Sequence, residues 1–339
     1  MRTARILADP SAGVAYYHLI TRAIEGRFIF DELAKEKFRR LLYAYGEMMG
    51  IELLTWCCLS NHFHLLVRLP NAEEFRAGLD DQEILRRLGL VTAPDRMLEI
   101  AQTLEELRTG PPEFQDLYLH YRQRLLNRMA DVSVFMRELK QRFTQWHNRR
   151  VKRKGPLWED RFKSVLVEEH QAVLITMAAY IDLNPVRAGL VKDPKDYRWC
   201  GYAEAVAGRR QSRRGLKDLY VGGNLSWKAC QGAYRCLLFA EGEARPAAPG
   251  ERGVKARAGF TALQVEAVEK RGGSLSAASL LQVRVRHFTR GLALGRREFV
   301  EEVFSRNRGK MGVKRKAGAR EAKGAHLGEW RTLVDLRGE

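Results

Sequence analysis

Asn61-His62-Phe63-His64 carries the sharpest chemical signal in the chain. In a strand, alternate side chains share a face, so His62 and His64 point the same way with backbones ~6–7 Å apart. Two imidazoles at that separation can converge on one divalent ion. Phe63, Leu65, Val67 and Leu69 fall on the opposite face and read as core. The plainer reading of the same residues is a half-exposed strand with two histidines on its polar side.

Tyr180, in AAYIDLNPVRAGLV (178–191), is the second feature. Tyr180 and Asn184 are four apart, so a continuous helix would stack them on one face, where a phenol and an amide could meet the histidines. Two alternatives stay open. Asn184-Pro185 suits the cap and first position of a new helix starting at Val186, because proline disfavours helical geometry at the residue before it. Tyr180 could also be a core aromatic with its hydroxyl at the surface.

The third feature is a basic segment in which Arg149, Arg150, Lys152, Arg153, Lys154, Arg161 and Lys163 surround the aromatics Trp146, Trp158 and Phe162. Cations track a phosphate backbone, and aromatic faces accept unstacked bases. A plain charge run is a solvated face. Here Gly155-Pro156 splits the run into a loop and aromatics interleave with it, which favours contact with nucleic acid.

Composition agrees. The chain has 339 residues, with 59 Lys and Arg against 41 Asp and Glu, a formal charge of +18. Such an excess makes an anionic partner the leading expectation, and nucleic acid the commonest one. The five cysteines form no CxxC pair, so neither a disulfide framework nor a zinc knuckle is expected. The first residues lack the apolar run of a signal peptide, and no stretch approaches ~20 apolar residues. A cytoplasmic protein is expected, nucleoid-associated when bound to DNA, with no membrane partner.

The elements that must position these groups can be read from periodicity. VAYYHLITR (14–22) is a strand; 31–49 is a helix with Asp31 as N-cap and Gly50 closing it. IELLTWCC (51–58) and HFHLLVRL (62–69) form a hairpin. Residues 71–130 read as an insertion of short helices broken at Pro94 and Gly110-Pro111-Pro112. A helix at 131–148, with Val134, Phe135, Leu139, Phe143 and Trp146 on its apolar face, precedes a strand at 164–170 and a helix at 171–183. That order is the split βαβ, ferredoxin-like pattern: an α+β fold with helices on an antiparallel sheet. We expect a domain over 1–205 and a basic C-terminal region over 206–339. Within the latter, 208–217 reads as a basic linker, 241–257 as a flexible loop, 260–304 as an apolar, periodic stretch and 305–324 as an extended arm.

In this order, YYHLITRAIEGRFIF, SNHFHLLV, RKGPLWEDRFKS and AAYIDLNPVRAGLV resemble the single-tyrosine HUH transposases, most closely the REP-associated tyrosine transposases. The match spans roughly residues 14–205. The resemblance implies a ferredoxin-like core, Tyr180 as nucleophile, and His62 and His64 holding a divalent metal, Mg²⁺ or Mn²⁺, with Asn184 completing the site. It also implies a single-stranded or hairpin DNA substrate cleaved and rejoined through a 5′-phosphotyrosine, by a monomer or homodimer. Arg187, in the tyrosine block, joins the basic segment and Trp158 as an expected DNA contact. Two features depart from the compact members: the long insertion at 71–130, and the region after 206, which matches nothing of known function. A non-catalytic nucleic-acid-binding regulator on the same scaffold is the alternative. A zinc hydrolase built on the two histidines lacks a Glu or Cys at a fitting spacing.

Overall fold

A computed structural model describes residues 5–9, 13–220, 225–241, 288–289, 291–311, 317–321 and 330–334. Strand β1 (Val14–Arg22) leads through a short turn to helix α1 (Glu32–Met49). Asp31 accepts a hydrogen bond from the Ala34 amide and Gly50 closes the helix at φ +70°, as expected of these cap residues. The hairpin of β2 (Glu52–Cys58) and β3 (His62–Pro70) follows, its turn closed by the Leu59 amide donating to the His62 carbonyl. The insertion is four helices, α2 (Ala72–Ala77), α3 (Asp81–Gly89), α4 (Pro94–Thr109) and α5 (Gln115–Leu126). Pro94 opens α4, where its missing N–H is harmless.

Helix α6 (Val132–Arg150) then leads to β4 (Lys163–Val167). The four strands lie in the order β2-β3-β1-β4, each antiparallel to its neighbour, which is the ferredoxin-like arrangement. Phe38 of α1, Phe63 of β3 and Phe143 of α6 pack together with Phe30, so α1 and α6 cover one face of the sheet. Helix α7 (Gln171–Asp182) contacts β2 and β3, and its Tyr180 meets His18 and His64 on the other face.

The sheet does not stop at four strands. β5 (Gly291–Arg296) pairs parallel to β4, with Leu166 opposite Ala293, and is joined by β7 (Trp330–Val334) and β6 (Arg320–Glu321). The seven-stranded sheet is therefore mixed rather than antiparallel throughout. β4 would otherwise expose an edge of unpaired backbone groups.

Two expectations for the C-terminal region are corrected. Residues expected to form a basic linker instead form α10 (Arg210–Asp218), which follows the short α8 (Asn184–Arg187) and α9 (Gly201–Val206). Ser212, Gly215, Leu216 and Leu219 are buried in a stripe, while Arg210 and Arg214 are exposed. Gly215 sits so close to β2 that a Cβ there would meet the Leu53 carbonyl oxygen at 2.3 Å. The expected extended arm also returns to the fold over its described residues. It begins in the last turn of α12 (Arg297–Arg306), turns at Arg308–Lys310 and ends in β6, with Glu301 accepting from the Gly318 and Ala319 amides. The loop at 241–257 lies outside the described residues apart from its first, which ends α11 (Trp227–Glu241). Of the apolar stretch at 260–304, 260–287 and 290 lie outside, and the rest contributes β5 and most of α12.

Asp182 ties the tyrosine helix to the sheet. It is fully buried and accepts from Thr55 of β2 (2.8 Å), Tyr234 of α11 (2.7 Å) and the Tyr202 amide of α9 (3.3 Å). Among the described residues no helix is long and apolar enough to cross a membrane.

Candidate active site

Register brings the polar groups of β1 and β3 together. Partners across an antiparallel pair share a face, and here Arg22 opposes His62 and Ile20 opposes His64. His18, two residues before Ile20, is on that face as well. Its Nε2 lies 2.9 Å from His64 Nδ1, and its own Nδ1 lies 2.9 Å from the Phe288 carbonyl oxygen. His62 Nδ1 lies 2.6 Å from Asn61 Oδ1. Each histidine of the motif thus has Nδ1 engaged, and His62 and His64 have ring centroids 5.1 Å apart.

Burial decides their charge. His18 is pushed down to about 4 by desolvation, against the opposing pull of the Phe288 carbonyl. His62 falls to about 4 by burial and the Arg22 charge, and His64 lies well below the usual imidazole value by burial and its neighbouring histidines. All three rings are neutral at pH 7 and keep a lone pair.

Helix α7 aims Tyr180 at this group. Its ring centroid is 5.8 Å from that of His64 and 5.9 Å from that of His18. The residue is only 2% exposed, and Phe288 stacks on its ring at 4.7 Å. Burial pushes the phenol up to about 12, with Arg187 pulling it back. The Arg187 guanidinium lies 4.7 Å over the ring and donates to the Tyr180 carbonyl at 2.7 Å.

Asn184 does not cap a new helix. It occupies the first position of α8, after a Leu183 that is itself helical, and its Nδ2 donates backwards to the Tyr180 and Ile181 carbonyls, both at 3.1 Å. The amide thereby holds the carbonyl end of α7 that carries the tyrosine.

The donor chemistry suits a divalent ion in part. Two neutral imidazoles, each with Nδ1 held by a neighbour, would offer Nε2, and outer hydrogen bonds of this kind orient metal-ligating histidines. The Asn184 nitrogen is spent on backbone, which leaves its carbonyl oxygen as a hard donor. Among the described residues no three His, Cys, Asp or Glu are grouped to hold a metal.

The basic segment reaches the site through its backbone. The Glu159 amide donates to the Arg22 carbonyl and the Ile24 amide to the Leu157 carbonyl, both at 3.1 Å, so the loop runs beside the end of β1 that faces His62. Lys163 opposes Ile20 on β1 and shares the histidine face. Arg149, Lys152, Lys154, Arg161 and Lys163 are exposed, and Arg153 is half-buried. Arg150 is committed, forking onto both Asp31 oxygens at 2.7 and 2.9 Å. Trp158 turns inward. It packs among Phe30, Phe63 and Phe143 and donates from Nε1 to Thr144 Oγ1 at 2.8 Å.

Sequence reasoning missed His18, Arg22 and Phe288. The first two flank Ile20 at alternate positions in YYHLITR, on one face of the strand. No local signal marks Phe288.

Residues 12–76 match the family model described as "Transposase IS200 like". That span holds two of the four blocks on which the resemblance rests, the opening strand and the hairpin with SNHFHLLV. No curated protein matches the chain. Among solved structures, "Structure of the REP associates tyrosine transposase bound to a REP hairpin" is similar at 16% identity and a TM-score of 0.35, over 63% of this chain and 88% of that one.

Proposed function

We propose that this chain is a metal-dependent single-strand DNA transposase and endonuclease acting at hairpin or repeat sequences through a covalent 5′-phosphotyrosine. The observation that carries the reading is the convergence of Tyr180 with His62, His64 and His18 on one face of the sheet. The transposase family match over the strands that bear the histidines supports it.

The chain's own residues define the steps. Tyr180 Oη attacks the phosphorus, forming an O–P bond while the bond to the 3′ oxygen breaks; the phenolic proton ends on that oxygen as a free 3′-hydroxyl. The phenol resists ionisation in its buried site, and Arg187 over the ring favours the phenolate. Mg²⁺ or Mn²⁺ on His62 and His64, with Asn184 Oδ1, would neutralise charge on a non-bridging phosphate oxygen. The phosphotyrosine conserves the energy of the broken linkage, so a later 3′-hydroxyl can rejoin DNA by the reverse displacement. Arg149, Lys152, Arg153, Lys154, Arg161 and Lys163 line the path of the phosphate backbone, with Arg187 at the nucleophile. Trp158 supports the loop from below.

One observation favours the second reading, a non-catalytic nucleic-acid-binding regulator: Phe288 covers Tyr180. Incubation with a panel of single-stranded hairpins, with Mn²⁺ or with chelator, separates the two. Metal-dependent nicking supports the transposase; tight binding without a nick on any hairpin supports the regulator.

A further inference from the structure

We propose that His18 is a positioning residue that holds His64 in its Nδ1–H tautomer and so presents the Nε2 lone pair to the site. The proposal deepens the functional reading above and rests on it for the use to which that lone pair is put.

Donors and acceptors around His18 set the proton order. A carbonyl oxygen only accepts, so at 2.9 Å from the Phe288 oxygen, His18 Nδ1 carries the proton. His18 is fully buried and, among the described residues, its hydrogen-bond partners are the Phe288 carbonyl and His64, neither of them a carboxylate, so a doubly protonated cation there has no compensation from them. Its Nε2 is therefore bare and must accept. The atom 2.9 Å away is His64 Nδ1, which must then donate. His64 is 3% exposed, and its Nε2 is left as the lone pair. The ring centroids are 5.2 Å apart with planes 18° apart, so the rings lie nearly coplanar along the hydrogen bond, which fixes the orientation of His64 as well as its tautomer. The relay runs from the C-terminal region, through β1, to the histidine motif on β3. Phe288 therefore does two things at the site: its ring covers Tyr180 and its carbonyl sets the proton order of two histidines.

Histidine side-chain ¹⁵N NMR on the full chain reads this without DNA or activity. In the wild type, His64, assigned by loss of its signals in His64→Asn, is expected as the Nδ1–H tautomer with a bare Nε2. Wild-type His64 observed as the Nε2–H tautomer overturns the proposal, whether or not any variant folds. In His18→Leu the constraint is gone, and the two nitrogen shifts should move toward the averaged values of an exchanging ring. Mn²⁺ affinity, read by paramagnetic broadening at His62, should fall roughly 10-fold or more, the usual effect of losing such a partner. His18→Gln, which restores one donor and one acceptor, should recover part of it. A His18→Leu protein with an unchanged tautomer or unchanged Mn²⁺ affinity also overturns it. If the NMR and Mn²⁺ results hold while no hairpin is nicked, the functional reading fails and the relay stands.

Discussion

The ring of Phe288 lies on that of Tyr180, centroids 4.7 Å apart and planes 20° from parallel. We infer that this contact hinders the approach of a phosphodiester to the nucleophile proposed at Tyr180. Stacked aromatic pairs contribute ~0.5–1.5 kcal/mol beyond their area, so removing the ring should ease opening roughly 2- to 10-fold. Phe288→Ala should therefore raise the initial rate of protein–DNA adduct formation by about that factor. The Phe288 carbonyl, being backbone, stays to hold His18. An unchanged or slower rate would show that uncovering Tyr180 does not limit the reaction.

The two histidines of the motif should differ in their structural cost. His62 is half-buried and bonded to the adjacent Asn61, whereas His64 is buried and is the partner of His18. Both His62→Ala and His64→Ala should weaken Mn²⁺ binding in calorimetric titration. Only His64→Ala strands His18 Nε2 without a partner, which costs about 1–3 kcal/mol and should show as a lower midpoint in urea. Equal Mn²⁺ affinity in wild type and both variants would remove the pair as ligands.

Salt dependence separates the roles within the basic segment. Replacing Lys152, Arg153 and Lys154 with Ala should flatten the slope of log affinity against log salt for a single-stranded hairpin by roughly two units, at about 0.7 per phosphate. Trp158→Ala should leave that slope alone and lower the melting temperature instead, because the ring packs on Phe30, Phe63 and Phe143. A triple variant with the wild-type slope would show that these cations face solvent.

Burial raises the Asp182 carboxyl to about 7, against the pull of its hydrogen-bond donors Tyr234, Thr55 and the Tyr202 amide. A native carboxyl above its unfolded value of ~3.9 binds a proton that the unfolded chain has lost. Its contribution to stability is thus present below about pH 4 and declines as pH rises through about 7, by roughly 4 kcal/mol at most. The buried histidines act in the opposite direction below pH 6.5, so the difference between wild type and Asp182→Asn isolates the carboxyl. That difference in unfolding free energy should shift against the wild type between pH 4 and 7; a constant difference would mean that Asp182 titrates normally.

Local patterns made much of this legible in the sequence. Alternation in β3, the Asp31 and Gly50 caps of α1, and the order of strands and helices each depend on residues near one another in the chain. What stayed hidden depends on pairing between distant segments. The meeting of His18 with His64 needs the register of β1 against β3, and Phe288 lies 270 residues from the histidine it holds. Helix α10 was masked by its arginines, although Ser212, Gly215, Leu216 and Leu219 keep helical spacing beneath them. Trp158 shows the same limit, since an aromatic among cations does not declare whether it faces DNA or core.

The proposed reaction joins Tyr180 covalently to DNA. The direct measurement is mass spectrometry of the denaturant-resistant product formed with a single-stranded hairpin and Mn²⁺, digested to its nucleotide-bearing peptide. We expect a phosphonucleotide on Tyr180 in the wild type and no adduct in Tyr180→Phe, which keeps the ring, its packing and DNA binding. An adduct that persists in Tyr180→Phe, or that maps to another residue in the wild type, would contradict it.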